Sequence, residues 1–422
     1  MKLRFLHTAD WHLGQLFHQH ERTYEHEQFL TWLLTQVEQE QPHALLIAGD
    51  VFDVANPSIA AQKQLYQFLA EANRIAPNMQ IIMIAGNHDS ASRIEQVNPL
   101  LEKYNAIAVG VLDWQRQNNQ DDELNVKRLI LPIYDGEQII AWCIALPYLR
   151  AAEITGHQQT SSDVKDATDK LYQLLLDEVQ QRKQKHQAVI VMSHAHMQGG
   201  DETTDSERPI LIGNLEGISN QIFKSGIDYV ALGHLHKPQK VGYDFIRYSG
   251  SPIPLSFSEV KYKHQVLRVE IDLDTMQAQY QPLIIPRSVD LIRITGTIDK
   301  VLEQLAQLEQ GEIERIDQRP YVDIEYELTE APIADLRQKF EKALPENRYR
   351  LVRVARKLRK RTDGTYAQQD SKIDLQPPTP EELFLSLWER EGYKEKPKTE
   401  VRQDFLELEQ IAEQRIKDAP KS

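Results

Sequence analysis

The sequence predicts an α/β fold followed by a small α+β domain and a C-terminal helical pair. Three observations predict it. Over residues 1–285, short apolar runs alternate with helical patterns. Beyond Pro286 a β-α-β-α-β pattern of about 70 residues repeats that alternation on a smaller scale. Past a Pro- and Gly-bearing stretch, two short amphipathic helices follow.

The first apolar run, Phe5-Leu6-His7-Thr8-Ala9, leads into Asp10 and His12. Phe29, Leu30, Leu33, Leu34 and Val37 at helical spacing predict a helix over 21–40. Residues 44–49 lead into Asp50, and Leu65, Phe68 and Leu69 mark a helix over 58–75. Residues 80–86 lead into Asn87-His88-Asp89. Residues 115–125 read as a polar surface loop and 162–185 as a long helix. Residues 189–193 lead into His194, and 199–207 read as an exposed loop. Residues 229–233 lead into His234-Leu235-His236, and shorter strands over 245–271 finish the unit. Buried strands read as short continuous apolar runs, and in open α/β sheets ligands gather beyond the carboxyl ends. These ends would therefore place Asp, His and Asn side chains in one crevice. Asp10, His12, Asp50, Asn87, His194, His234 and His236 are more ligands than one metal needs. His196 rivals His194, which is favoured because it directly ends its apolar run. His18, His20, His43, His157 and His264 read as surface or packing residues.

In the second unit, 290–295 is a strand, 299–308 a helix and 321–328 an alternating, half-buried strand. A helix over 331–344 and a strand over 348–358 complete it, with no plausible metal cluster. Residues 348–361 carry eight Lys or Arg in fourteen. The expected boundaries are 1–285, 286–361, a linker over 362–378 with Asp363-Gly364 and Pro377-Pro378, and 379–422. Thr379 suits an N-cap, Pro380 the first helical position and Glu382 a capping box. That helix presents Leu383, Phe384, Leu387 and Trp388; the next presents Val401, Phe405, Leu408 and Ile411. Such a pair either folds back on the body or docks on a partner, and docking is the favoured reading.

At 422 residues, two or three domains are expected. The lone Cys143, inside an apolar run, excludes an intrachain disulfide and fits a reducing, cytoplasmic setting. No stretch reaches the roughly 18 apolar residues of a membrane span. Residues 1–5 run straight into the first ligand-bearing strand, so a removable signal there is not expected. The net charge of −14 argues, taken alone, against a nucleic-acid binder. Bound divalent cations would offset part of the negative charge in the crevice.

Asp-x-His, Gly-Asp, Gly-Asn-His-Asp, His and Gly-His-x-His, each at a strand end and in this order, resemble the calcineurin-like metallophosphoesterases. The segments 7–14, 48–53, 86–90, 206–209, 233–238 and above all 248–258 resemble the SbcD family of bacterial nuclease subunits. The resemblance spans the whole chain. It implies a two-sheet sandwich flanked by helices, a capping domain and a C-terminal helical pair. It also implies two-metal hydrolysis of phosphodiesters, with two Mn ions, or Mg or Fe. Asp50 would bridge the ions, Asp10, His12 and His236 would complete one site, and Asn87, His194 and His234 the other. His88 would act as general acid or phosphate-orienting residue. Asp89 would fix the His88 tautomer, with turn capping as the alternative.

The resemblance further implies 3′-to-5′ exonuclease action on duplex ends and endonuclease action on single strands, hairpins and protein-blocked ends. An SbcC-type coiled-coil ATPase would bind Leu383, Phe384, Leu387, Trp388, Phe405 and Leu408, and no phosphate-binding Gly-rich Lys loop occurs in this chain. A homodimer through the nuclease domain is implied, and Arg353, Arg356, Lys357, Arg359 and Lys360 would track DNA phosphates. Archaeal and eukaryotic relatives carry a histidine where this chain has Asp53. A two-histidine mechanism therefore does not transfer directly. A phosphatase or nucleotide phosphodiesterase with the same metal core is the rival reading, and a scaffold without ligands is disfavoured because every ligand position is filled.

Overall fold

The computed structural model describes residues 1–115, 123–150, 153–154, 161–203, 217–327 and 336–357. Strands β1 (Lys2–Thr8), β2 (Ala44–Ala48), β3 (Gln80–Ile84) and β4 (Ala106–Val109) run parallel, side by side. Helices α1 (Thr23–Glu40) and α2 (Ile59–Ile75) form the first two crossovers. Ser58 starts α2 by accepting a hydrogen bond at Oγ from the Ala61 amide, 3.2 Å away. The polar 115–125 stretch departs from a plain loop at its described ends, where Trp114–Gln115 pairs antiparallel with Glu123–Leu124.

A second sheet contains β5 (Ile130–Asp135), β6 (Gln138–Leu146), β7 (Ala188–His194), β8 (Tyr229–Gly233), β9 (Gln239–Val241) and β10 (Tyr243–Tyr248). Its order is β9-β10-β8-β7-β6-β5. Strands β11 (Gln265–Asp272) and β12 (Gln277–Ile284) return to the first sheet, giving β12-β11-β1-β2-β3-β4. The long helix Ser161–Arg182 packs Leu171, Tyr172, Leu175 and Val179 into the main core.

The apolar runs are continuous because both faces of these strands are covered. In β2, Leu46 and Ala48 face the second sheet, while Leu45 and Ile47 face α1 and α2. Phe29, Leu33 and Val37 meet Leu65, Phe68 and Leu69 on that outer side. Each such side chain contributes about 1.5–3 kcal/mol on burial. Cys143 is fully buried in the main core. No helix of the described residues is long and apolar enough to cross a membrane.

The small unit is a parallel sheet of β13 (Leu291–Thr297), β14 (Tyr321–Glu327) and β15 (Arg350–Arg356) in that order. Helices α3 (Ile298–Ala306) and α4 (Leu336–Ala343) pack Val301, Leu305 and Phe340 on Ile294, Val322 and Ile324. The expected half-buried alternation of 321–328 is corrected here: Tyr321, Val322, Asp323 and Ile324 are all buried. The helices cover one face, and Tyr321 joins Phe17, Phe257, Val289 and Leu291 in a second cluster on the larger unit. Tyr321 also donates a 3.3 Å hydrogen bond to Glu25, which is paired with the buried Arg22. Residues 358–422, with Arg359, Lys360, Leu383, Phe384, Leu387, Trp388, Phe405 and Leu408, lie outside the described residues, as does 206–209.

Candidate metal centre

Strands β1, β2 and β3 are parallel, so Asp10, Asp50 and Asn87 leave the first sheet at one edge. Strands β7 and β8 are parallel in the second sheet and carry His194 and His234 to the same place. The result is one cluster: Asp10 with His12 and His236, His12 with Asp50 and His88, and Asp10 with Asp50 and His194. His194, rather than His196, enters it; His196 pairs with Glu202.

The turns that aim these side chains are tight. Asp10, His12, Asp50 and His234 have φ of 54, 47, 47 and 105°, a region sparsely used by non-glycine residues. Gly86 has no such φ but a close neighbour: a Cβ there would lie 2.1 Å from Asp50 Oδ1. At Gly49, φ is +91° and a Cβ would meet His194 Nδ1 at 2.1 Å. Both Gly-Asp and Gly-Asn therefore need glycine for packing against the opposing ligand.

Asp50 Oδ2 stands 3.3 Å from His194 Nε2 and 3.6 Å from His12 Nε2. Asn87 Oδ1 lies 3.0 Å from His194 Nε2 and 3.1 Å from His234 Nδ1. Asp10 Oδ1 accepts the His234 amide at 2.8 Å. Asp10 Oδ2 and His12 Nε2 are buried without a hydrogen-bond partner. Orphaned buried groups of this kind are costly unless something charged satisfies them.

The electrostatics point the same way. Burial raises the Asp10 carboxyl, against the pull of His194 and His236. Burial would raise Asp50 too, but His194, His12 and His88 hold it well below the usual range. Burial alone would lower His194; Asp50 and Asp10 overcome it and lift the ring to about 9. His234 falls well below its ordinary value through burial and the nearby His194. The carboxylates thus demand positive charge, which a proton on His194 supplies and which divalent cations satisfy equally. A donor set of imidazole, carboxylate and amide oxygen without thiolate fits Mn or Fe. The residues fit a divalent-metal centre.

His88 Nδ1 donates to the Asp53 carbonyl at 2.7 Å, and the His88 amide donates to Asp50 Oδ1 at 2.8 Å. The tautomer-fixing role expected of Asp89 goes to that Asp53 carbonyl. The Asp89 carboxylate instead accepts the amides of Gly86, Phe52 and Val51 at 2.9, 2.9 and 3.1 Å. It ties the Asn87 turn to the Asp50 turn, which is the capping alternative. Burial and Asp50 push its carboxyl up to about 6.

The sequence reading named Asp53 only as the place of an absent histidine and did not single out Glu259. Asp53 Oδ1 lies 3.1 Å from His12 Nδ1, and Glu259 Oε1 lies 3.0 Å from His236 Nδ1. Asp53 had a signal, since it shares a block with Asp50. Glu259 follows directly on the 248–258 stretch. The other Glu259 oxygen accepts Ser251 Oγ and the Leu255 amide at 3.2 and 2.8 Å, and Ser251 donates its own amide to the His236 carbonyl.

The basic strand also differs from a free stripe of charge. Arg353 donates to both oxygens of the buried Asp323 at 2.8 and 3.0 Å, and Arg293 reaches the same carboxylate at 2.9 Å. Lys357 pairs with Glu327 at 3.2 Å. Arg356 is exposed at the strand end.

Comparison with known proteins locates this architecture. The calcineurin-like phosphoesterase family profile matches residues 3–238. A second profile, SbcD_C, described as the type 5 capsule protein repressor C-terminal domain, matches residues 287–392. The SbcD subunit of the SbcCD nuclease from Rhodobacter capsulatus is 36% identical over 315 residues, covering 72% of this chain and 76% of that protein. Its counterpart in the SbcCD nuclease of Escherichia coli K12 is 32% identical over 399 residues, covering 90% of this chain and 92% of that protein. Among solved structures, a dimetal phosphatase from Danio rerio aligns with a TM-score of 0.38 at 11% identity, over 67% of this chain and 99% of that one.

Proposed function

We propose, for a chain that belongs to the calcineurin-like phosphoesterases and, within them, to the SbcD family of nuclease subunits, that this centre cuts DNA with two manganese ions. The chain is a metal-dependent hydrolase of the nuclease class. The finer reading is 3′-to-5′ exonuclease action on duplex ends and endonuclease action on single strands and hairpins. Its setting is DNA repair, recombination and replication in the cytoplasm. The chain would work as a homodimer with an SbcC-type coiled-coil ATPase that grips residues 379–422, while the small domain caps the nuclease unit. The observation that carries the reading is the buried, unsatisfied pair Asp10 Oδ2 and His12 Nε2 at the meeting point of five strand ends.

Asp10, His12, Asp50 and His236 would hold one ion, and Asp50, Asn87, His194 and His234 the other. The ions would supply Lewis-acid charge to a phosphodiester and make water a competent nucleophile. The chain's own groups do the rest. With Nδ1–H donated to the Asp53 carbonyl, Nε2 of His88 is the nitrogen that exchanges a proton with the leaving oxygen. Asp89 keeps the Asn87 and Asp50 turns in register through its three amide contacts.

DNA has a path beside this centre. A cleft of about 340 Å³ is lined by Gln15, Phe17, His18, Phe257, Arg293 and Arg353, among others. It opens between the His12 loop and the small sheet. The Arg293 guanidinium lies 5.5 Å from the Phe257 ring centroid. Arg293 and Arg353 share the single Asp323 carboxylate, so part of their charge is available to a phosphate backbone, less the share taken by Glu325 at 4.0 Å from Arg353.

The test is cleavage of labelled duplex and hairpin DNA with manganese, with and without the SbcC-type partner and ATP, beside His88→Ala. Cleavage that needs manganese and His88 and rises with the partner and ATP is expected. Intact DNA in every condition, with hydrolysis of a small phosphodiester, would hand the site to the phosphodiesterase reading.

A further inference from the structure

Resting on the two-ion reading above, we infer that the two ions are held unequally. The position formed by Asp10, His12 and His236 binds a divalent cation more tightly than the one formed by Asn87, His194 and His234. Asp53 and Glu259 are the positioning residues that create the difference.

The two sides differ in what stands behind their imidazoles. On the first side both rings are backed by carboxylates. His12 Nδ1 is 3.1 Å from Asp53 Oδ1, and His236 Nδ1 is 3.0 Å from Glu259 Oε1. A ring N–H given to a carboxylate fixes the tautomer with the Nε2 lone pair turned outward, and makes that nitrogen a stronger donor. His12 Nε2 is held in this way, buried and without a hydrogen-bond partner. Glu259 cannot swing away, because it is fully buried and its second oxygen is tied to Ser251 and Leu255. Asp10, grouped with His12 and His236, adds a direct carboxylate whose Oδ2 is buried without a hydrogen-bond partner.

On the second side the same positions are neutral. His194 Nδ1 donates to the Ala48 carbonyl at 2.9 Å, a dipole rather than a charge. Asn87 offers an amide oxygen shared between His194 and His234. The nearby carboxylate, Asp89, is committed to the amides of Gly86, Val51 and Phe52. Asp50 is common to both sides and cancels from the comparison. Asp10 borders both sides, its Oδ1 lying 3.9 Å from His194 Nδ1. The difference is therefore Asp53 and Glu259, which stand behind the imidazoles of the first side, whereas among the described residues no such carboxylate backs His194. Loss of one such backing carboxylate costs on the order of 10–100-fold in metal affinity, which sets the scale of the asymmetry.

The experiment is a Mn(II) titration of the metal-stripped full chain, followed by calorimetry and by electron paramagnetic resonance. Two classes of site are expected, separated by roughly 10–100-fold. The first equivalent should give the signal of isolated Mn(II), and the second should convert it to a spin-coupled pair. Asp53→Asn and Glu259→Gln should each weaken the tight class by roughly 10–100-fold while moving the weak class far less. Asp53→Glu should restore part of the loss. His194→Ala should remove the weak class and keep one tight equivalent. Melting curves of the stripped variants separate a lost fold from lost affinity. Two equal classes in the wild type would overturn the inference and leave the two-ion centre standing, as would unchanged binding in both carboxamide variants. Absence of any manganese binding would overturn the two-ion reading as well.

Discussion

The carboxyl edge shared by the two large sheets and the basic strand of the small sheet both gather charge, and they dispose of it differently. At the edge, Asp10, Asp50 and four histidines face one another with buried atoms left unsatisfied. On the strand, Arg353 and Lys357 are each matched by acids of β14, Asp323 and Glu327. The first arrangement is incomplete without added cations. The second is already close to neutral and can lend only part of its charge to a ligand. Concentrated charge in a sequence thus says little until its partners are known, because a neighbouring strand can absorb it.

The largest effects should come from the unsatisfied edge. Asp50→Ala should lower DNA cleavage by on the order of 1,000-fold or more, since both ion positions lose a ligand. His88→Ala should cost roughly 100- to 10,000-fold in rate with metal binding retained, measured by single-turnover cleavage beside a manganese titration. Equal loss of binding in both variants would erase the distinction between ligand and proton donor.

Gly86→Ala should be felt next. Its Cβ would press on Asp50 at 2.1 Å, and overpacking of this kind costs about 1–3 kcal/mol. The melting temperature and manganese affinity should fall together, while Gly136→Ala, at a glycine with nothing within 4 Å, should leave manganese affinity unchanged.

The strand should respond more quietly. Arg293→Ala and Arg353→Ala together should weaken DNA binding evenly across sequences and lower the salt slope by roughly 1–2. Asp323→Asn should destabilise the fold by about 1–3 kcal/mol, because the two guanidiniums lose their shared anion. A salt slope that falls as much in Lys357→Ala alone would show that the strand acts as a free stripe after all.

A pH-dependent effect lies in the core between the sheets. Burial holds His7 down to about 3, with Nδ1 on Tyr229 and Nε2 on the Leu232 carbonyl. Below the ordinary value of 6.5 the unfolded chain takes up a proton that folded His7 refuses. Stability should therefore fall as pH drops from 6.5 towards 3, by roughly 1.4 kcal/mol per unit from this residue. Denaturant titrations should show a flatter acid limb in His7→Gln.

The ligand edge was legible because strand ends are local. An apolar run followed by Asp10, Asp50, Asn87, His194 or His234 states both the strand and what it delivers. Asp53 and Glu259 were not legible in the same way, since their roles depend on approach across the fold: Glu259 meets a histidine 23 residues away. Asp89 was read towards His88, its sequence neighbour, whereas its carboxylate reaches Val51 and Phe52 on a different turn. Tyr321–Ile324 misled the alternation pattern because a second cluster, with Phe17 and Phe257, covers the face expected to be open.

The most direct measurement is anomalous diffraction from crystals of the chain soaked in manganese. The account predicts two peaks at the shared sheet edge, one among Asp10, His12 and His236 and one among Asn87, His194 and His234, with Asp50 between them. A single peak, or manganese bound away from these strand ends, would contradict it.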